Sequence, residues 1–528
     1  MAAPTGKPAP EAAYDPDPPI TRQQLLITAG ILVALSLAAL DASVVGTAMP
    51  TIIGQLGGLS EYSWVFSGYL LASTTTVPLF SRMADMYGRR PIFLFGLVTF
   101  VIASVLCGFS DSMLMLIALR TLQGLGAGAL QPVAFTIVGD VYTPSQRARV
   151  QGLFSAVWGS TAIFGPAVGG IITTTVGWPW VFWINLPIGI AATFVFTRTF
   201  TERFERREHR IDWVGAGLLL AGVGSLLFAL SEGSQLFGFT SPIFLGMLLG
   251  SLLLLRFFVM HERSVPEPLI DLTLLRIPVI GGGLAIGSLI GVGMFGLMTY
   301  VPPLVQGVQG GTAVEAGASV AAMSIGWPIG AMLGGRLMLR FGSRRIVLIG
   351  SFLLTAGLGL VTQLPAVAML WYAMLATGIT GFGMGLASTV LMVSIQGSVA
   401  WNRRGVATGL NQFSRSVGGS IGIGLMGGIL SAAVGTHSAA VLDPLLRATI
   451  SPAELAATRA AMLDGLQVNL YILFASGLAA LLVAWRVMPS ISIRELRRGR
   501  PEPEAEQPAA AALDPAPAPV LEGGIEFA

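Results

Sequence analysis

The sequence predicts an all-α membrane protein: two pseudo-symmetric six-helix bundles with two further helices inserted between them. Three observations predict it. The 528-residue chain is 53% hydrophobic and only 11% charged, with a mean hydropathy of +0.75. A soluble domain carries about 25% charged residues, so this composition suits a lipid-facing surface rather than a wet one. Fourteen apolar runs follow one another along the chain. Finally, the charged turn Ser81-Arg-Met-Ala-Asp-Met-Tyr-Gly-Arg-Arg-Pro91 recurs, diverged, as Gly335-Arg-Leu-Met-Leu-Arg-Phe-Gly-Ser-Arg-Arg345.

The expected spans are 25–53, 62–81, 91–109, 112–139, 150–175, 180–200 and 212–231, then 240–260, 279–304, 315–335, 345–363, 367–395, 405–433 and 467–488. Roughly 20 apolar residues cross a ~30 Å hydrocarbon core, and backbone groups in lipid must be satisfied within the segment, so each run is read as a helix. The first run is too long for a signal-peptide core and is read as an uncleaved span. Connectors after even-numbered spans carry Arg82, Arg89 and Arg90, then Arg147 and Arg149, the 203–210 cluster, Arg336–Arg345, and Arg403 with Arg404. Connectors after odd-numbered spans carry only Arg447 and Arg459. The excess of arginine marks the cytoplasmic side, so both termini are expected there, with the protein in the plasma (inner) membrane.

A shift of 254 residues places Arg82 on Arg336, Tyr87 on Phe341 and Gly88 on Gly342; a shift of 257 places Gly124, Gly126 and Gly128 on Gly381, Gly383 and Gly385. The expected organisation follows: a disordered cytoplasmic tail over 1–22, an N-terminal six-helix bundle over 23–200, an inserted two-helix linker over 201–277, a C-terminal bundle over 278–490, and a second disordered tail over 491–528. In the outer loop 434–466, Ser451-Pro-Ala-Glu454 and the later Gly465 predict a separate short surface helix at about 452–464. Duplicated bundles related in this way are how secondary transporters are built.

Cys107 is the only cysteine, so disulfides and cysteine metal sites are excluded. The three histidines, His209, His261 and His437, are scattered through polar connectors, so no metal site and no cofactor are expected. Net charge is +3 with the arginines between apolar runs, which does not suit a nucleic-acid surface. No Gly-x-x-x-x-Gly-Lys-Ser/Thr loop is present, so ATP is not the expected energy source. The charges deep in apolar runs are Asp41, Arg120 and Arg415, without an intramembrane histidine or second carboxylate, so an enzyme is not expected.

Four motifs together resemble the major facilitator superfamily, in particular its fourteen-span drug/proton antiporters (the EmrB/QacA-like branch). They are Ser81–Pro91 between spans 2 and 3, Leu40-Asp-Ala-Ser-Val-Val-Gly-Thr-Ala-Met-Pro50 in span 1, Arg120-Thr-Leu-Gln-Gly-Leu-Gly-Ala-Gly128 in span 4, and Gly159-Ser-Thr-Ala-Ile-Phe-Gly-Pro-Ala-Val-Gly-Gly170 in span 5. The likeness covers nearly all of 23–490, and Tyr300-Val-Pro-Pro-Leu-Val-Gln306 also fits. Ser81 and Gly46 depart from the family's usual glycine and asparagine.

The resemblance implies the major facilitator fold and proton-coupled export of lipophilic neutral or cationic small molecules, by alternating access, from a monomer in a lipid bilayer. Export of a specific lipid or natural product is the alternative. Asp41 reads either as the proton-carrying carboxylate or as a structural residue satisfied by Ser43 or Thr47. Arg120 reads as its partner at compatible depth or as a donor to backbone carbonyls. Asp85, Gly88, Arg89 and Asp140 form either a latch between the halves, as in the family, or a solvated charge cluster. Gly159, Gly165, Pro166, Gly169 and Gly170 form either a proton-tight seam against the other half or generic helix packing. Arg415 contacts substrate or snorkels to the interface. Candidate cavity residues besides it are Tyr69, Gln123, Trp158, Trp183, Tyr300, Trp327 and Asn411.

Overall fold

A computed structural model describes residues 19–56, 63–202, 212–233, 237–238, 240–434 and 451–489. The expected disordered tails, the arginines of the 203–210 connector, most of the outer loop, His209 and His437 therefore lie outside the described residues. Among the described residues the regular structure is helical. The helices of the first half are α1 (Arg22–Leu56), α2 (Ser63–Tyr87), α3 (Arg89–Cys107), α4 (Met113–Val141), α5 (Pro144–Thr175), α6 (Pro179–Trp183) and α7 (Asn185–Thr199). The inserted pair is α8 (Trp213–Phe228), which runs into a π-turn at Ala229–Gly233, and α9 (Pro242–Glu262). The second half holds α10 (Pro278–Pro303), α11 (Ala313–Phe341), α12 (Ser343–Val361), α13 (Leu370–Gly397), α14 (Arg404–Val434) and α15 (Pro452–Val487).

Among the described residues, ten helical segments are long and apolar enough to cross a membrane. The other four expected crossings, α2, α5, α8 and α14, are helical too but shorter or less apolar. The helices bury one apolar face and leave another apolar face outside. On α3, Phe93, Leu97 and Phe100 are sealed while Phe95, Val98 and Ile102 are exposed. Greasy stripes on the outside of a helix have no place in water and match a hydrocarbon solvent.

Within the first half α1 packs on α5 and α7, and α4 on α2 and α3. Within the second, α10 packs on α14, α11 and α12 on α13, and α15 on α10, α12 and α14. The halves meet along two seams, α2 with α14 and α5 with α11, and α8 lies against α2 and α14. Glycines permit these approaches. A Cβ on Gly126 would stand 2.6 Å from the Phe100 backbone nitrogen, and one on Gly350 2.8 Å from that of Ala387. The repeat extends to backbone conformation: Gly88 (φ 97°) and Gly342 (φ 83°) both adopt the left-handed region that favours glycine, at the same point of the duplicated turn.

One expectation is corrected. Ser451 and Glu454 do form the capping box, but the helix they start runs without a break from Pro452 to Val487. Gly465 does not end it. It packs against α14, where a Cβ would lie 3.0 Å from that of Ala433 and 3.2 Å from Leu430 Cδ1. The glycine serves close packing, not termination.

Candidate functional site

Asp41 lies within α1, Arg120 and Gln123 lie one turn apart on α4, and Asn185 opens α7. Arg120 Nη1 is ion-paired with Asp41 Oδ2 and donates to Gln123 Oε1 at 2.7 Å. Gln123 Nε2 donates to Asp41 Oδ1 at 2.9 Å, and Asn185 Nδ2 approaches the same oxygen at 3.5 Å. Asn185 is itself anchored on Ser104 Oγ at 2.9 Å, and that hydroxyl donates to the Phe182 carbonyl. The Tyr69 ring from α2 covers the guanidinium at 4.4 Å. Asp41 and Arg120 are each 1% exposed. A charge in so apolar a place is tolerable only when paired and hydrogen-bonded, and this one is both.

Asp41 is thus satisfied by partners in its own half. Ser43 and Thr47, the hydroxyls first considered for it, bond to the carbonyls of Ala39 and Val44 instead. Gln123, a cavity candidate, is buried here and serves as a donor for Asp41. Asn185 is the member of this group that the sequence reading missed. A lone asparagine at the start of an apolar helix was the available signal.

A second constellation joins the halves at the arginine-rich end. Arg89 Nη2 pairs with Asp85 Oδ1 at 2.7 Å, and Arg89 Nε with Asp140 Oδ2 at 3.0 Å. Arg89 also crosses to the second half, donating to the Trp401 carbonyl at 3.1 Å with its guanidinium 4.1 Å from the Trp401 ring centre. Arg404 approaches Asp140 at 3.5 Å. Asp85 accepts from the backbone N–H groups of Gly405 at 3.1 Å and Val406 at 2.8 Å. Those groups belong to the first turn of α14, where donors lack partners within the helix and the helix dipole favours an anion. A carboxylate of one half therefore caps a helix of the other. Gln396 Nε2 adds a bond to the Phe135 carbonyl at 3.1 Å.

The reading of these residues as a solvated charge cluster is corrected, because Asp85 and Arg89 are buried. Gly88 makes the turn that brings Arg89 back towards Asp85. The start of α3 is held in turn by Glu202, which accepts from the Arg89 and Arg90 backbone N–H groups at 3.1 and 2.9 Å. Burial raises the Glu202 carboxyl above the ordinary glutamate range, against the pull of those donors and of Arg89.

The span-5 motif divides. Gly159 faces the other half: a Cβ there would lie 2.7 Å from the Ser324 carbonyl oxygen on α11. Gly165 and Gly169 instead face Ser43, and Val44 with Thr47, on α1 of their own half. Gly170 faces open space, and the Pro166 side chain lies outside the described residues. One seam against the other half is thus corrected to two close approaches, because the motif winds around more than one side of α5.

The cavity candidates also part company. Tyr300 is buried, and its hydroxyl donates to the Ile423 carbonyl at 2.6 Å, pinning α10 to α14. Asn411 is buried with its amide 3.8 Å from Met392 Sδ. Trp183 donates to the Val105 carbonyl. Each of these three side chains has its partner within its own half. Trp158 is exposed on α5. Trp327 and Arg415 are half-buried and meet across α11 and α14, with the Arg415 guanidinium 5.9 Å from the Trp327 ring centre. Among the described residues, no group of three or more histidine, cysteine, aspartate or glutamate side chains is placed to hold a metal ion.

Residues 31–423 match the family model described as Major Facilitator Superfamily. The chain is 37% identical over 446 residues to the Multidrug transporter protein MdtP of Bacillus subtilis (strain 168), covering 84% of this chain and 82% of that one. It is 32% identical over 408 residues to the Multidrug export protein EmrB of Escherichia coli (strain K12), covering 76% and 79%. Its fold resembles the crystal structure of the human organic anion transporter MFSD10 (TETRAN), with a TM-score of 0.59 at 15% identity, over 89% of this chain and all of that one. The chain belongs to the major facilitator superfamily of membrane transporters.

Proposed function

We propose that this protein exports lipophilic small molecules across the plasma membrane in exchange for protons, by alternating access, with both termini and the arginine-rich end on the cytoplasmic side. The names of the relatives MdtP and EmrB support multidrug efflux. The observation that carries proton coupling is the sealed Asp41–Arg120 pair with Gln123 and Asn185 around it. In the state described, both oxygens of this carboxyl are served by donors. A proton arriving there cancels the charge that holds Arg120, leaves a buried cation without its counter-ion, and so favours rearrangement of α1, α4 and the covering Tyr69. One inward proton contributes about 2.3 kcal/mol per 100 mV of membrane potential, besides any pH gradient.

Alternating access is supported by where the halves are joined. The side-chain hydrogen bonds linking described residues of the two halves lie at the arginine-rich end, so this end is the closed one. Opening it exchanges the Asp85 cap and the Arg89–Trp401 contact for water. The test is proton release from detergent-purified protein, read with a pH dye in weak buffer, on adding cationic, neutral and lipidic compounds in turn. Release of protons by an exported compound is expected. Export of a compound that releases none, and whose transport ignores the pH gradient, would overturn the coupling. Response to a single lipid alone would favour the lipid-export alternative.

A further inference from the structure

We infer that Arg415, Gln412 and Trp327 form a subsite for the acidic group of an amphiphile, so that lipophilic compounds bearing one carboxylate are preferred at the transport site. This deepens the export reading and rests on it. Three observations carry it. First, among the described residues the Arg415 side chain has no ion-pair or hydrogen-bond partner, and its guanidinium stands 5.9 Å from the Trp327 ring centre. Second, Gln412 is 3% exposed, and neither its amide nitrogen nor its amide oxygen has a hydrogen-bond partner. Buried polar groups are almost always satisfied, and an orphan amide needs an explanation. Third, the two residues are three apart on α14, so their side chains leave the same face of the helix.

The direction of Arg415 excludes snorkelling. It stands eleven residues into α14, about 16 Å from the arginine-rich end at 1.5 Å per residue. Its guanidinium reaches sideways to Trp327, fourteen residues from either end of α11, rather than along the helix towards the interface. The residue is half-buried rather than sealed. The contrast with Arg120 is direct: that arginine has Asp41 and a closed shell of donors and acceptors, whereas Arg415 has a positive charge, five N–H donors and no anion.

A carboxylate supplies what is lacking. It would accept from the guanidinium fork and from the Gln412 amide, while the indole face of Trp327 offers an apolar wall to the adjoining ring or chain. The expectation of neutral or cationic substrates placed Asp41 as the cavity's charge. Asp41 is internally neutralised, and the unpaired charge is of the opposite sign.

The experiment compares three fluorescent probes of one skeleton, pyrenebutyrate, its primary amide and the corresponding butylamine, for binding to the purified full-length transporter in nanodiscs. Wild type is expected to bind the carboxylate about tenfold or more tightly than the amide, and the amine least well. Arg415→Gln should remove most of that preference while amide affinity stays within about twofold; Arg415→Lys should keep much of it. Gln412→Leu should weaken the carboxylate selectively. Equal affinities for the three probes in wild type, or an undiminished carboxylate preference in well-folded Arg415→Gln, would overturn the subsite. Should Arg415→Gln fail to fold, the wild-type ranking and Gln412→Leu decide the matter. Because binding is read without a gradient, absence of the preference in wild type refutes the subsite alone, whereas absence of pH-driven transport for all three probes refutes the export reading alone.

Discussion

Replacing Gly405 by alanine tests the cross-half cap without touching any charge. A Cβ there would stand 2.5 Å from Asp85 Oδ1 and 2.7 Å from both Cγ and Oδ2. Real Cβ atoms do not approach so closely, so the carboxylate must leave its bonds to the Gly405 and Val406 backbone N–H groups. Hydrogen bonds involving a charged group contribute about 1.5–3 kcal/mol each, or about 3–6 kcal/mol for the two. Alanine returns at most about 1 kcal/mol through its better helix propensity. The net cost to the closed state is at least about 2 kcal/mol, roughly a 30-fold shift of the closed-to-open ratio at the arginine-rich end. The assay is pulsed EPR distance measurement between spin labels at Tyr87 and Phe341, exposed residues at matching points of the two repeats, with Cys107 replaced by serine. A broadened, longer distance distribution in the variant is expected. An unchanged distribution would refute the claim that Asp85 holds the two halves together by capping α14.

Three further predictions follow from the same geometry. Asp85→Asn keeps one acceptor oxygen but loses the charge that Arg89 and the α14 N-terminus attract; export should be lost while membrane insertion, read by protease protection, remains normal. Gly159→Ala should impair transport because the new methyl meets the Ser324 carbonyl of the other half, whereas Gly170→Ala, facing open space, should transport like wild type; the reverse order in a dye-efflux assay contradicts the division of the span-5 motif. Gln123→Leu leaves one Asp41 oxygen with only the long Asn185 contact, at a cost of about 1–3 kcal/mol. A fall in thermal midpoint by several degrees in detergent is expected, and an unchanged midpoint would show that this hydrogen bond contributes little.

The helices were legible because lipid imposes a long apolar run on every crossing, and the repeat because Gly88 and Gly342 need the same unusual backbone conformation. The Asp41–Arg120 pairing was legible from compatible depths together with the family resemblance, although a bond from Arg120 to backbone carbonyls stood beside it as the other reading. What escaped was what side-chain identity does not encode. The partner of Asp85 is a pair of backbone N–H groups, which no residue type announces; the lack of a Ser, Thr, Asp or Asn immediately before Arg404 was the one trace. Tyr300 and Asn411 read as cavity residues because polar groups in apolar runs attract attention; the carbonyl and the thioether that each one meets could not be read from residue type. Gly465 looked like a stop because glycine ends helices and also lets them touch, and only the neighbouring α14 distinguishes the two.

The proposed export rests on proton exchange at Asp41. Its most direct test is uphill accumulation of a substrate dye in inside-out vesicles under an imposed pH gradient, comparing wild type with Asp41→Asn, each also assayed for downhill counterflow. Wild type is expected to accumulate dye, and Asp41→Asn to exchange it downhill without concentrating it. Dye accumulation by Asp41→Asn at the wild-type level and with the same dependence on the gradient would contradict it.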